Sequence, residues 1–515
     1  MKFRRTLSAA LAACILAGSC ITPAAVSAED EPVRTYAEPV SGDVNLDESV
    51  DVADAVAIAR YYSMDWTLEL SDQGRLQGDV NRDGNLDDED LQLILLYIAR
   101  RVSYLGGEPM ITEKEYSAAN LMEGITASTE GQEWDPAFVT DEAFIDSQMK
   151  LAVDLFKGAA QDEQSEGKDV LVSPLSVSQA IAMATNGANG NTKAEMEKLL
   201  GDTLDIDALN KCYNNYVTML TKSANAKLHL ANSLWIRDDE SKIQVPKDYL
   251  QTTADYYNAD AFSAPFDDST VADVNNWVNY HTHQMIPSLL DTIDPNWIMI
   301  LINALAFEAD WGDPYKDFQV HDETFHGYDG DITAEMMYCT LYAYLEDEHA
   351  KGFIKNYENG EYSFAAILPD EDLTVNEYID QMTGESLQRF LKSRQDKKTY
   401  TSLPKFQYEY SLTMNDMLCA LGMKDAFDSA KADFTGLNTL GNTSIDTVLH
   451  KTFIQVDNRG TRAAAVTAIV EAGAALEQEK PKEVYLDRPF IYMILDNRTQ
   501  LPIFIGYVLH PTKVE

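Results

Sequence analysis

The chain's apolar positions change period along its length. Met149, Val153 and Leu155 are spaced as on one face of a helix. Val56, Ala59 and Tyr62 repeat that spacing near the N-terminus, and so do Leu91, Ile94, Leu95 and Ile98. Later segments are continuous apolar runs: Ile298-Met299-Ile300-Leu301-Ile302, Thr452-Phe453-Ile454-Gln455-Val456 and Phe490-Ile491-Tyr492-Met493-Ile494-Leu495. Short runs rich in β-branched and aromatic residues read as buried strands. Helices early and strands late predict an α+β arrangement rather than a regular βαβ alternation. One segment fits neither period. Between the strand-like runs lies Gly460-Thr461-Arg462-Ala463-Ala464-Ala465-Val466-Thr467, followed by more small residues until Pro481. Loops of that length inside a compact domain are usually functional or disordered. An alanine-rich surface helix over Ala463 to Ala475 is the competing reading. Val466, Thr467, Ile469, Val470 and Gly473 weaken it.

A second pattern is a repeat. Gly42-Asp43-Val44-Asn45-Leu46-Asp47 recurs as Gly78-Asp79-Val80-Asn81-Arg82-Asp83, each copy running into a helical pattern. Calcium takes six to eight oxygens, and a loop of about twelve residues delivers them from positions 1, 3, 5, 7, 9 and 12. The first copy offers Asp43, Asn45, Asp47, Ser49 (by its carbonyl), Asp51 and Asp54. The second offers Asp79, Asn81, Asp83, Asn85 (carbonyl), Asp87 and Asp90. Gly84 supplies the sharp turn at position 6; Glu48 does not. Two ions are expected. An acidic, solvated turn before each helix explains one copy alone but not two in phase.

At 515 residues the chain can bury a large core and hold more than one domain. A net charge of -44 excludes nucleic acid as the expected partner. Lys2, Arg4 and Arg5, the apolar stretch Leu7 to Ile21 and the tripeptide Val26-Ser27-Ala28 read as a secretory signal over 1–28. Leu11-Ala12-Ala13-Cys14 resembles a lipoprotein-processing box, although the apolar run before it is short. No membrane span is expected beyond the signal. Cys212, Cys339 and Cys419 have neither disulfide-framework nor metal-ligand spacing and read as buried thiols. Residues 103–140 have weak periodicity and read as a linker.

The paired loops, each with one following helix, resemble a dockerin module over residues 40–102. The resemblance implies a small all-α domain that binds cohesin domains of a cellulosome scaffold. Partner choice would lie at loop positions 10 and 11, here Val52-Ala53 and Asp88-Glu89, which are not equivalent in the two copies.

Ordered segments over 141–515 resemble the serpin family. They include Val170-Leu171-Val172-Ser173-Pro174-Leu175-Ser176, Asn186-Gly187-Ala188-Asn189-Gly190-Asn191-Thr192, Ala231-Asn232-Ser233-Leu234-Trp235, Leu301-Ile302-Asn303-Ala304-Leu305-Ala306-Phe307, Leu403-Pro404-Lys405-Phe406 and Asp487-Arg488-Pro489-Phe490. The resemblance implies a large mixed β-sheet with surrounding helices and an exposed reactive loop. It implies a suicide inhibitor of serine proteases, not an enzyme: the cut loop inserts as an extra strand before water releases the acyl-enzyme. A strand alternates faces. With Thr461 as the first inserted residue, Thr461, Ala463, Ala465, Thr467 and Ile469 point inward and Arg462 outward. Counting from hinge Gly460 places the reactive bond at Ala474-Ala475, with Ala475-Leu476 the runner-up. Counting back from Pro489 points near Gln478. Small residues there suit elastase-like or subtilisin-like proteases. Asn458 and Arg462 stand where the family often has Glu, which implies a looser top of the sheet. Ser173, Ser176, Asn303 and His450 are the implied shutter under the insertion point. The implied whole is a secreted inhibitor anchored to a cellulosome. The other class kept open is a non-inhibitory serpin serving as carrier or structural passenger.

Overall fold

The computed structural model describes residues 42, 44–46, 50, 52–62, 70–80, 86, 90–91 and 94–95, then 116–128, 134–222, 226–441, 443–461 and 480–512. Near the N-terminus lie α1 (Val52–Tyr62) and α2 (Asp72–Gly78). Val44, Ala55, Ile58, Val80 and Ile94 close a small core of their own. α2 starts at Ser71, whose hydroxyl accepts from the Gly74 N–H at 2.9 Å. Periodicity did not mark this helix, because it is too short to show an apolar face.

The body begins with β1 (Ala119–Asn120), α3 (Pro136–Val139) and α4 (Glu142–Gln161), the last capped by Asp141. β2 (Val170–Val172) leads into α5 (Pro174–Thr185), α6 (Gly190–Gly201) and α7 (Ile206–Leu220). Next come β3 (Ala226–Arg237), α8 (Lys247–Tyr257), β4 (Asp260–Ala264), α9 (Asp268–His281) and β5 (Met299–Asp310). Strands then dominate: β6 (Val320–Gly327), β7 (Gly330–Leu341), β8 (Tyr344–Glu346), β9 (Ala350–Asn356) and β10 (Tyr362–Pro369). α10 (Val375–Gln381) and α11 (Gly384–Lys392) precede β11 (Thr399–Pro404), β12 (Phe406–Thr413) and α12 (Asn415–Ala420). The chain closes with β13 (Thr447–Val456), β14 (Gly460–Thr461), β15 (Lys482–Tyr485), β16 (Phe490–Asp496) and β17 (Pro502–Val508).

The strands form three sheets. The largest has the order β1-β4-β3-β5-β14-β13-β12. A six-stranded sheet runs β2-β17-β16-β10-β9-β8, and a four-stranded one β15-β11-β7-β6. The alternation of β5 explains why it is buried on both faces. Met299, Leu301, Leu305 and Phe307 join the main core. Ile300, Ile302 and Ala304 join a second core with Val274, Trp277 and Val278 of α9. α9 therefore covers the outer face of the large sheet.

The expected linker over 103–140 is corrected from Tyr116 onward. Ala119 and Asn120 pair with Ser263 and Phe262 of β4. Ser117 Oγ and the Ala118 N–H donate to Asp273 at 2.6 and 2.8 Å. Tyr116 packs edge-on to Phe262 at 5.2 Å. A two-residue strand is too short to carry a hydrophobic period. The thiol expectation is corrected in part: Cys212 is buried, and Cys339 and Cys419 are half-buried. Among the described residues no helix is long and apolar enough to cross a membrane.

Candidate functional site: the hinge and its slot

β5 and β13 are parallel neighbours over Ile300–Leu305 and Thr447–Thr452, with Asn303 opposite His450. Above that ladder they part, and β14 occupies the opening. Gly460 and Thr461 lie opposite Asp310 and Ala309 of β5, and Thr461 also lies opposite Val456 of β13. A third strand has thus begun between two strands that are otherwise closed on each other. Gly460 fits because it has no side chain: a Cβ there would lie 2.1 Å from the Ala309 carbonyl oxygen. Thr461 is 2 % exposed, and its hydroxyl shares a 2.5 Å hydrogen bond with that of Tyr357 in the core. It therefore points inward, on the face the alternation assigned to it.

The turn feeding β14 is held by backbone groups. Trp311 N–H donates to the Arg459 carbonyl and Tyr315 N–H to the Asn458 carbonyl, both at 2.8 Å. Trp311 Nε1 donates to the Asp457 carbonyl at 2.9 Å. Asp457 Oδ1 accepts from the Arg459 and Gly460 N–H groups. Trp311 stacks on Tyr357 at 4.5 Å. Asn458 contributes its carbonyl here, while Lys405 pairs with Glu335 at 3.2 Å. Asn458 thus holds the turn through its main chain.

Asp310 was not legible as special. It is 6 % exposed, and its Oδ1 has no partner among the described residues. Burial, with Glu358 and Asp457 nearby and only Arg459 opposing, pushes its carboxyl up to about 7.

Beneath the slot the four implied shutter residues meet. His450 Nε2 accepts from the Ser173 N–H at 3.1 Å, and Ser173 Oγ accepts from the Ser176 N–H at 3.3 Å. Burial pushes the His450 imidazole down to about 4, so it is neutral over most of the working range. Asn303 Nδ2 donates to Asn232 Oδ1, and Asn232 Nδ2 donates to Gln179 Oε1 at 3.3 Å. Thr452 Oγ1 donates to the Leu171 carbonyl at 2.9 Å. Asn232, Gln179 and Thr452 were missed; buried polar groups facing buried polar groups leave no period in a sequence. Ser176 Oγ, Asn303 Oδ1, Gln179 Nε2 and His450 Nδ1 are buried without partners among the described residues.

In the N-terminal module Asp54 and Asp90 are completely buried. Asp54 Oδ1 accepts from the Val44 and Asn45 N–H groups at 2.7 and 3.1 Å, and Asp90 Oδ1 accepts from the Val80 N–H at 2.8 Å. Each last carboxylate is thus tied back to the start of its own loop, the same way twice. A buried carboxylate needs a donor or a cation, and this oxygen-only set suits calcium. Asp79 is described beside Val80, at the start of its loop. Val52 and Ala53 are exposed at the start of α1. Asp43, Asp47, Ser49, Asp51, Asn81, Asp83, Asn85, Asp87, Asp88 and Glu89 lie outside the described residues, as do Arg462, Ala463, Ala464, Ala465, Val466, Thr467, Ala474, Ala475 and Leu476.

Comparison with known proteins agrees with this geometry. The serpin (serine protease inhibitor) family model matches residues 146–511, and the dockerin type I domain model matches 41–99. An uncharacterized serpin-like protein of Thermococcus kodakarensis is 30% identical over 366 residues, covering 70% of this chain and 83% of that protein. The leukocyte elastase inhibitor of Homo sapiens is 29% identical over 389 residues, covering 72% of this chain and 100% of that one. The crystal structure of a thermophilic serpin, tengpin, in its native state matches with a TM-score of 0.70 and 45% identity, over 76% of this chain and 99% of that one. Its latent state matches with a TM-score of 0.63 and 43% identity, over 72% of this chain and 99% of that one.

Proposed function

The chain belongs to the serpin family and carries a type I dockerin domain, and from that premise we propose that it is a secreted suicide inhibitor of elastase-like or subtilisin-like serine proteases, docked on a cellulosome scaffold. Relatives that are elastase inhibitors support the target class. The observation that carries the reading is β14, two residues deep in a slot that is closed below it. The protease's serine oxygen attacks the Ala474 carbonyl carbon. The C–N bond to Ala475 breaks, its amine leaves protonated, and the loop stays esterified to the protease. The freed loop then zips downward between β5 and β13. Continuing the register one residue at a time would set Arg462 opposite Glu308, Ala463 opposite Phe307 and Thr467 opposite Asn303. The small residues would thus enter the main core, and the arginine would lie across the sheet's outer face from a carboxylate. Thr467 would also reach the shutter, where unpartnered groups wait.

The dockerin part would hold two calcium ions. The ions would screen the clustered carboxylates and fix the loops, and α1 would present Val52 and Ala53 to a cohesin. The signal over 1–28 would export the chain, and the anchored inhibitor would shield a polysaccharide-degrading assembly from proteolysis. Incubation with subtilisin or elastase, denaturing electrophoresis and mass mapping of the cut test this. A denaturant-stable adduct cut at Ala474-Ala475 is expected. Cleavage without adduct, and without a gain in thermal stability, would mark a non-inhibitory carrier instead.

A further inference from the structure

Asp310 ends β5 and is the register partner of Gly460 in β14. Ala309 and Thr461, the next pair, face the main core, so Asp310 stands on the outer face of the large sheet. A carboxylate on that face ordinarily reaches water. This one is sealed, and its Oδ1 meets no donor among the described residues. The two backbones pass closely here: a Cβ on Gly460 would lie 2.8 Å from the Asp310 Cα. The charged groups facing Asp310 are mostly of its own sign. Glu308 belongs to the same strand, where Lys227 of β3 lies opposite it. Asp457 and Arg459 come from the turn that feeds β14, and Glu358 from the short turn Glu358–Gly360 between β9 and β10. Three carboxylates and one guanidinium thus surround a group that burial already keeps from ionising.

A buried anion without donors needs water or a cation, so some element must give way when Asp310 is charged. β5 is laddered to β3 along Met299–Ala309 and to β13 along Ile300–Leu305, and it cannot part from either without breaking many bonds. β14 has two residues. Its turn is tied by the Trp311 and Tyr315 N–H groups, which donate to the Arg459 and Asn458 carbonyls, and by Asp457 Oδ1, which accepts from the Arg459 and Gly460 N–H groups. Asp457 is also one of the carboxylates that a charged Asp310 repels. The repulsion therefore acts on the element that yields most easily.

We propose that Asp310 is a proton-operated gate for the hinge: protonated, it lets β14 stay seated between β5 and β13; charged, it lifts the turn Asp457–Gly460 and admits water to the mouth of the slot. Once lifted, the carboxyl returns toward its ordinary value of 3.8, against about 7 when seated. Seating is therefore strongest below 3.8, weakens by about tenfold per pH unit up to 7, and is constant above. The gate's consequence rests on the inhibitor reading above. The chain would hold its first inserted residues ready in acidic surroundings and withdraw them in neutral or alkaline ones.

Hydrogen exchange of the full chain, followed by mass spectrometry from pH 5 to 8, tests the gate. Protection is expressed relative to the unstructured rate at each pH. The reporters are the Trp311 and Tyr315 amides, which donate to the turn. Their protection should fall tenfold or more between pH 5 and 7 and then level off. In Asp310→Asn, which keeps the acid's shape without a charge, it should stay flat. In Glu358→Gln, which leaves the turn's own bonds in place, the fall should be smaller. Equal slopes in the unmodified chain and D310N overturn the gate. So does a loss spread evenly over β3 and β5, which would assign the cost of the charge to the whole sheet. For the consequence, the number of inhibitors consumed per adduct is measured at pH 6 and 8 with one protease. It should rise with pH in the unmodified chain and less in D310N; an equal rise in both overturns that consequence. Cleavage without adduct at either pH fails the inhibitor reading alone, because the exchange experiment uses no protease target.

Discussion

Replacing Asp310 with Asn should make the body more stable, and by an amount that depends on pH. Asn has nearly the shape of the protonated acid, so at pH 4 the two chains should match. Burial and the neighbouring Glu358 and Asp457 raise the carboxyl from 3.8 to about 7. The native state therefore keeps a proton that the unfolded chain has lost throughout that window. Stability from this group is fully present below the unfolded value and is lost as pH rises through 7. The loss is about 1.4 kcal/mol per pH unit, or about 4 kcal/mol in total. His450 works in the opposite sense. Its imidazole falls from 6.5 to about 4, so its contribution, about 3 kcal/mol, is complete above 6.5 and lost as pH falls through 4. Between pH 4 and 6.5 the two slopes nearly cancel, and each variant should expose the other. Over the span 146–511, an unfolding entropy of roughly 2.1 cal/mol/K per residue converts 4 kcal/mol into about 5 °C. The assay is differential scanning calorimetry at matched scan rate, pH 4 to 8, of the chain and its D310N variant. The variant's advantage should grow from near zero to about 5 °C. An advantage independent of pH would refute the reasoning, since it would mean that the carboxyl is not protonated in the fold.

Gly460→Val should drive the hinge out of its slot, because the added Cβ meets the Ala309 carbonyl. Overpacking of about 1–3 kcal/mol should then favour hydrolysis over insertion. Titration of protease activity should show several inhibitors consumed per adduct; an unchanged ratio would contradict the slot. His450→Ala leaves the Ser173 N–H without its acceptor and should lower the melting temperature by a few degrees, for a cost of about 1–3 kcal/mol; calorimetry at pH 8 checks it. Asp54→Ala should abolish calcium-dependent pull-down by a cohesin while adduct formation continues unchanged. Val52→Glu should weaken that pull-down without altering calcium affinity by calorimetry.

Much of the architecture could be read from runs and spacings. The apolar runs at 298–302, 452–456 and 490–495 became parts of β5, β13 and β16, and the helical spacing at Met149 became α4. These elements are long, so their period shows. β14 is two residues long and has no period of its own; only its neighbours define it. Asp310 reads in sequence as a polar strand end before Trp311, and its burial comes from a turn, Asp457 to Gly460, far away in the chain. Ser173, Ser176, Asn303 and His450 could be named through resemblance, but Asn232 and Gln179 join them by folding alone.

The two residues of β14 also bear on a race. In the proposed mechanism, water and strand growth would compete for the same ester after the cut. Growing a strand from nothing would fix several dihedrals before any ladder bond is gained, as nucleation does in a helix. Here the nucleus exists before the protease arrives, with Thr461 paired on both sides. On the proposed mechanism, cleavage would extend a strand that has already begun, one ladder step per residue. The hinge would then be set before any encounter with a protease.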